Sequence, residues 1–352
     1  MPENKISETS SNFVHFLRAI ASQIVVLGHI LQLNILPTNS VLAFLPSYSV
    51  LIFFVISGYI VSYSCNLKGK EYGLLNYVID RFSRIYITLI PAFILTIIIG
   101  IVYLYCLNSS AFNINWRYLI SSFLMQQENP ILMKIQYMLP NTETFKFVGV
   151  FGNNLPLWSL SIEWWLYMFF GIFYFKRIEQ LNGRHNFLLF LSLPFVIGYM
   201  FLPGRAGYGL PFIWLSGVVI NYLTSKKIIV AKSHMFVLIS LIFALVSIKT
   251  TPNIAILFFV VFFFFSINYF NELGNNSFYN SFFKLARWPG NYSYSIYIIH
   301  YPLILLISSL NLNVTSKIIL SLAISNLLAL TLYFFFERNH KLLSGKIKKI
   351  LS

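Results

Sequence analysis

IYITLIPAFILTIIIGIVYL, residues 85–104, runs for twenty residues without a charged side chain. At the helical rise of 1.5 Å per residue, that run covers about 30 Å, the thickness of a bilayer's hydrocarbon core. It is one of many. Reading outward from it, apolar runs bounded by turn and charge signals fall at 13–35, 47–66, 84–107, 156–175 and 187–202. Others follow at 208–223, 233–248, 253–270, 292–310 and 316–336. The chain of 352 residues is 57% hydrophobic and 10% charged, whereas a soluble domain carries roughly 25% charged residues. The sequence therefore predicts an all-α fold: a polytopic membrane helix bundle of about ten transmembrane spans, forming a single domain over 1–352. Segment 108–155, with Trp116, Met125 and Met138 among polar residues, is expected to fold back as amphipathic helix on the membrane surface.

The net charge of +15 invites a nucleic-acid reading, but no basic stripe interleaved with exposed aromatics and no zinc spacing accompanies it. Positive loops on the cytoplasmic side explain the charge better. With the N-terminus inside, 19 of the 25 Lys and Arg fall on the cytoplasmic side. Six, including Arg117, Lys146 and Lys317, fall on the other. Both termini are thus expected in the cytoplasm. Cys65 and Cys106 fall at opposite faces in this arrangement, so no bridge is expected between them. The leader carries Glu3 and Glu8 and lacks the pattern of a cleaved signal peptide.

Ionisable groups inside spans are costly, about 2.5–3.5 kcal/mol each on insertion scales, and call for a partner or a task. Arg18 and His29 lie eleven residues apart in the first span. They share a helix face and are separated by about 16 Å along the axis. For His29 the alternatives are a hydrogen-bonded packing histidine and a general base; for Arg18, a snorkelling boundary residue and an anion ligand. Glu163 lies in Trp158-Ser159-Leu160-Ser161-Ile162-Glu163, at a depth in the fourth span matching that of His29 in the first. A His and a Glu at one depth suggest an oriented base. Ser57-Gly58-Tyr59 in the second span suits close helix approach or the lining of a site. Arg81, Arg84 and Arg338 cluster with Arg18 at the cytoplasmic face, a setting for phosphates or for ordinary positive-inside residues. Tyr297 and His300 lie in the ninth span, as substrate lining or helix contacts. No metal-ligand spacing is present.

Taken in order, these pieces resemble the acyltransferase-3 family of bacterial membrane O-acyltransferases, which modify surface and exported polysaccharides. The resemblance rests on Arg18 and His29 with ten residues between them, and on Phe53-Phe54-Val55-Ile56-Ser57-Gly58-Tyr59-Ile60. It rests also on Arg81-Phe82-Ser83-Arg84-Ile85-Tyr86, the Trp158–Glu163 run, Tyr292-Ser293-Tyr294-Ser295-Ile296-Tyr297-Ile298-Ile299-His300, and Glu337-Arg338. Two departures stand out. The proline that often follows the Arg-Ile-Tyr run is delayed to Pro91, and Asn339 replaces the proline after Glu-Arg.

The resemblance implies O-acyl transfer, most often of acetyl from acetyl-coenzyme A, to a sugar hydroxyl of a cell-surface or lipid-linked polysaccharide. It implies residence in the bacterial inner membrane and a stand-alone form without a soluble esterase-like domain. In that reading His29 and Glu163 are catalytic, and Arg18, Arg81, Arg84 and Arg338 bind the donor's phosphates. Ser57, Tyr59, Tyr297 and His300 line the substrate. Acetyl-coenzyme A is a substrate, and no cofactor is permanently bound. The bilayer, the acyl-coenzyme A and the glycan are the expected partners; nucleic acid is not one. Another acyl group such as succinyl fits as well. A transporter or flippase for a lipid-linked glycan is the competing class, although paired halves with broken helices are not evident.

Overall fold

The computed structural model describes residues 5–35, 41–69, 72–107, 114–138, 149–179, 193, 195–200, 209–226, 233–250, 252–285 and 287–351. Among the described residues all regular structure is helical. The helices are α1 (Glu8–Asn34), α2 (Leu45–Lys68), α3 (Leu74–Leu107), α4 (Trp116–Phe123), α5 (Pro130–Met138), α6 (Trp158–Glu179) and α7 (Leu210–Ser225). They continue with α8 (Ser233–Thr250), α9 (Pro252–Glu272), α10 (Ser277–Leu285), α11 (Arg287–Asn291), α12 (Ser293–Ser308), α13 (Val314–Phe335) and α14 (His340–Leu351). Among the described residues, five helical stretches are long and apolar enough to cross a membrane: Glu8–Asn34, Leu42–Lys68, Leu74–Tyr105, Ile254–Glu272 and the one beginning at Val314. Leu210–Ser225, His234–Ser247 and Ser293–Ser308 are apolar but shorter. The span expected at 187–202 lies mostly outside the described residues.

The chain divides into two compact units. The first comprises residues 1–28, 37–69 and 212–293. Its core is aromatic, with Phe13 of α1 packed 4.8 Å from Phe270 and 5.5 Å from Phe283, ring centre to ring centre. Val55, Tyr59, Ile220 and Phe263 close the same cluster. Thr9 and Ser10 in the first turn of α1 are buried, and polar groups here are paired: the Ser7 hydroxyl donates to the Phe270 carbonyl at 2.7 Å and the Thr9 hydroxyl to the Gly274 carbonyl at 2.6 Å. The α2/α7 crossing is the tightest described in this unit. A Cβ on Gly58 would lie 2.0 Å from the Trp214 carbonyl oxygen, and one on Gly217 would lie 2.1 Å from that of Val55. Only glycine lets the two backbones approach so closely.

The second unit comprises 29–36, 70–211 and 294–352. In it α3 is the axis against which α6, α13 and α14 pack. The Tyr77 hydroxyl of α3 donates to the Tyr167 carbonyl of α6 at 3.0 Å. At the start of α3, Asp80 gathers the Tyr72 hydroxyl at 2.5 Å, the Lys348 ammonium at 2.7 Å and the Ser344 hydroxyl. These contacts tie α14 to α3. Segment 108–155 contributes α4 and α5, which leave Trp116 and Met138 exposed. Met125, by contrast, is fully buried, and its carbonyl accepts the Trp165 indole N–H at 2.9 Å. It therefore packs on protein.

Candidate functional site

His29, near the C-terminal end of α1, belongs to the second unit. Its Nδ1 lies 2.8 Å from Gln32 Oε1, one turn further along the same helix. An amide oxygen only accepts, so Nδ1 carries the proton and Nε2 keeps its lone pair. The ring stacks on His300 of α12, with centroids 5.4 Å apart and planes 27° apart, and meets Tyr301 edge-on at 5.0 Å. His300 in turn donates from Nδ1 to the Ile296 carbonyl at 2.9 Å. Two imidazoles from different helices thus lie ring on ring, each with its proton turned away onto a local acceptor.

Beside them, the approach to α6 is woven into α12. The Tyr297 hydroxyl donates to the Pro156 carbonyl at 2.8 Å. The Ser159 hydroxyl lies 2.6 Å from that of Tyr297 and 3.4 Å from the same carbonyl. Asn154 donates its side-chain amide to the Ile298 carbonyl at 2.7 Å, and Gln127 donates to the Leu157 carbonyl at 2.9 Å. Further along α6, Glu163 Oε1 accepts the Tyr167 hydroxyl at 2.5 Å. Gln32 holds the His29 imidazole, and the Tyr167 hydroxyl orients the Glu163 carboxylate.

The arginines differ in their surroundings. Arg84 Nη2 lies 2.7 Å from Glu337 Oε1 as an ion pair, and the guanidinium also covers the Tyr294 ring at 5.7 Å. Glu337 Oε2 accepts the Ser295 backbone N–H at 3.1 Å and its hydroxyl at 2.5 Å. Ser295 lies in the first turn of α12, where backbone N–H groups have no partner within the helix. Glu337 therefore caps α12 from another helix, a favourable place for a negative charge. Arg81 lies over the rings of Tyr77 and Tyr167, at 5.6 and 5.7 Å. Arg338 is exposed and covers Phe334 at 5.2 Å. Arg18 belongs to the first unit, where Nη2 donates to the Ser293 hydroxyl at 2.7 Å. Ser57 and Tyr59 also belong there. Ser57 accepts the Trp214 indole N–H at 3.2 Å at the α2/α7 crossing, and Tyr59 is buried against Phe263.

A family model described as an acyltransferase domain matches residues 11–336, nearly the whole chain. The chain belongs to the acyltransferase-3 family. No curated protein and no solved structure matches it. In this acyltransferase the matched region takes in His29, Glu163 and His300 and ends one residue before Glu337. Several residues that build the site were not singled out by sequence. Gln32 had a legible signal, because a polar residue three positions after a histidine on a helix shares its face. Asn154 and Ser159 carried no such signal. Their partners are backbone carbonyls and a tyrosine more than a hundred residues away. Glu337 was visible as half of a Glu-Arg pair, but its cap on α12 depends on tertiary structure. Among the described residues no group of three His, Cys, Asp or Glu is placed to hold a metal.

Proposed function

We propose that this acyltransferase moves an acyl group, acetyl in the first instance, from acyl-coenzyme A to a hydroxyl of a cell-surface or lipid-linked polysaccharide. It does so in the bacterial cytoplasmic membrane, with ten spans and both termini in the cytoplasm. The observation that carries the chemical reading is His29, whose proton is held on Nδ1 by Gln32 so that Nε2 is a base. In the proposed reaction Nε2 takes the proton of the acceptor hydroxyl as that oxygen attacks the thioester carbonyl. The tetrahedral intermediate collapses, the C–S bond breaks, and the coenzyme A thiolate leaves with the proton from the imidazolium. The products are an O-acyl ester and free coenzyme A, and His29 is regenerated.

Glu163 is assigned an electrostatic part in the reaction, its carboxylate oriented by the Tyr167 hydroxyl at 2.5 Å. Arg81 and Arg338 are assigned to the donor's phosphates. Arg84 shares that task only with the part of its fork that the Glu337 pair leaves over. For Arg18, Ser57 and Tyr59, which belong to the first unit, the sequence motifs alone carry the assignment. Tyr297 is assigned to substrate lining through its ring, since its own proton goes to Pro156. Acyl-coenzyme A enters as a substrate, and no resident cofactor is invoked.

The test uses protein reconstituted in nanodiscs, with acetyl-coenzyme A and the surface polysaccharide from cells lacking the protein. Thiol release coupled to a mass gain on the glycan is expected. His29→Ala should lower the rate by about a hundredfold or more, and Glu163→Gln should also be severely impaired. Glycan movement across the membrane without thiol release would replace the enzyme by a transporter. Full activity of His29→Ala would remove the base.

A further inference from the structure

His300 is fully buried, and its two nitrogens have different fates. Nδ1 lies 2.9 Å from the Ile296 carbonyl, which fixes the proton on Nδ1 because a carbonyl has none to give. Nε2 is therefore a lone pair, and it meets no hydrogen-bond donor among the described residues. A buried polar atom is nearly always paired, and leaving one bare is costly. Packing does not require this atom to be polar, because a phenyl ring would stack on His29 as well.

A second such atom lies against the same turn of α12, on the chain leading into α6. Asn154 donates Nδ2 to the Ile298 carbonyl at 2.7 Å, which fixes the amide's orientation, and its Oδ1 is left bare and buried. Both groups spend their donor on an α12 carbonyl and keep an acceptor with nothing to accept. Both orientations are forced by their partners, so neither can turn to supply a proton instead.

We propose that His300 Nε2 is a substrate-binding acceptor: it takes a hydrogen bond from an O–H or N–H of a substrate seated beside His29. This rests on the acyl-transfer reading above and names the residue that holds what His29 deprotonates or what it acylates from. Two sources offer that chemistry: the sugar hydroxyls of the acceptor and the pantetheine amides of the donor. His300 is distinct from the base. His29 removes a proton, whereas His300, whose ring centre lies 5.4 Å from that of His29, positions a donor group.

Two substitutions separate this role from a structural one. In His300→Gln the side-chain amide oxygen reaches the place of Nε2 and keeps the acceptor, while the bond to Ile296 is lost. In His300→Asn the amide nitrogen reaches the place of Nδ1 and keeps that bond, while the acceptor is lost. Steady-state transfer is measured in nanodiscs with acetyl-coenzyme A and the surface polysaccharide of cells lacking the protein.

His300→Asn should raise a KM by about tenfold or more, and His300→Gln should stay within about threefold of the parent protein. A rise in the polysaccharide KM alone assigns the bond to the acceptor; a rise in the acetyl-coenzyme A KM alone assigns it to the donor. Parent-like kinetics in His300→Asn, or a loss in His300→Gln as large as that in His300→Asn, overturns the proposal. Should His300→Asn fail to insert, His300→Gln decides alone: activity within threefold supports the proposal, and loss beyond a hundredfold refutes it. If the parent protein releases no thiol in this assay, it is the acyl-transfer reading that has failed.

Discussion

Glu337 offers the sharpest test of how the second unit is held together. Its side chain is 0% exposed and receives the Arg84 guanidinium, the Ser295 N–H and the Ser295 hydroxyl. Truncation in Glu337→Ala leaves the Ser295 N–H without an acceptor at the start of α12, a loss comparable to that of a helix cap, about 1–2 kcal/mol. It also strands Arg84. Breaking a fully buried ion pair costs about 3–5 kcal/mol. The Arg84 side chain is 27% exposed, so water recovers much of that charge's solvation, and about 1–2 kcal/mol is the appropriate share. The sum is about 3 kcal/mol. At roughly 2 °C per kcal/mol for a chain of this size, the melting temperature should fall by about 6 °C.

The assay is thermal unfolding of nanodisc-embedded protein for Arg84→Ala, Glu337→Ala and the double variant. The double variant should be less destabilised than the sum of the singles, by about 1 kcal/mol or more, since the pair is broken only once. Additivity within about 0.3 kcal/mol, or a Glu337→Ala protein as stable as its parent, would refute this account of α12's anchorage.

Other expectations follow from the same geometry. Gly217→Ala places a Cβ 2.1 Å from the Val55 carbonyl oxygen, where about 3.3 Å is needed, so α2 and α7 must part by about 1.2 Å. Unfolding free energy should fall by about 3 kcal/mol, and an unchanged melting curve would show that the crossing yields easily. Gln32→Leu removes one neutral hydrogen bond from His29 and frees its tautomer; kcat should fall by about tenfold with KM nearly constant. A drop confined to KM would mean that Gln32 binds substrate rather than orienting the base.

Where the sequence located helices well, the apolar run alone set the ends: 316–336 was expected against Val314–Phe335, and 208–223 against Leu210–Ser225. It fell short where charged or polar residues are paid for by distant partners. α3 begins at Leu74, ten residues before the expected 84, because Asp80 and Arg84 find Lys348, Ser344 and Glu337. α1 begins at Glu8 and not at 13, because Ser7, Thr9 and Asn12 are satisfied by Phe270, Gly274 and Asn280. The basic tail was not read as a helix, although Leu342, Leu343, Ile347, Ile350 and Leu351 recur at helical spacing; Ser344 and Lys348 of α14 meet Asp80.

The candidate site divides along the same line. His29 and Glu163 stand out as ionisable groups inside apolar runs, and Gln32 was within reach of helical spacing. The stack of His29 on His300 joins residues 271 positions apart. No local pattern encodes it. Matching depths put Glu163 and His29 in one reading of the site, but depth leaves rotation about the helix axis undetermined, and rotation selects the partner.

The α2/α7 crossing has a consequence for how the short helix α7 is located. Gly58 and Val55 are three residues apart on one helix, and Gly217 and Trp214 are three apart on the other, with each glycine notched against the opposite carbonyl. Two notches at matched spacing work like a key in a lock. A slide of one residue would drive Tyr59 or Ser216 into a carbonyl, and a turn about either axis would unseat both contacts together. Sixteen residues are too few to set α7's height in a bilayer by hydrophobic length. The helix takes its level from α2, tooth by tooth.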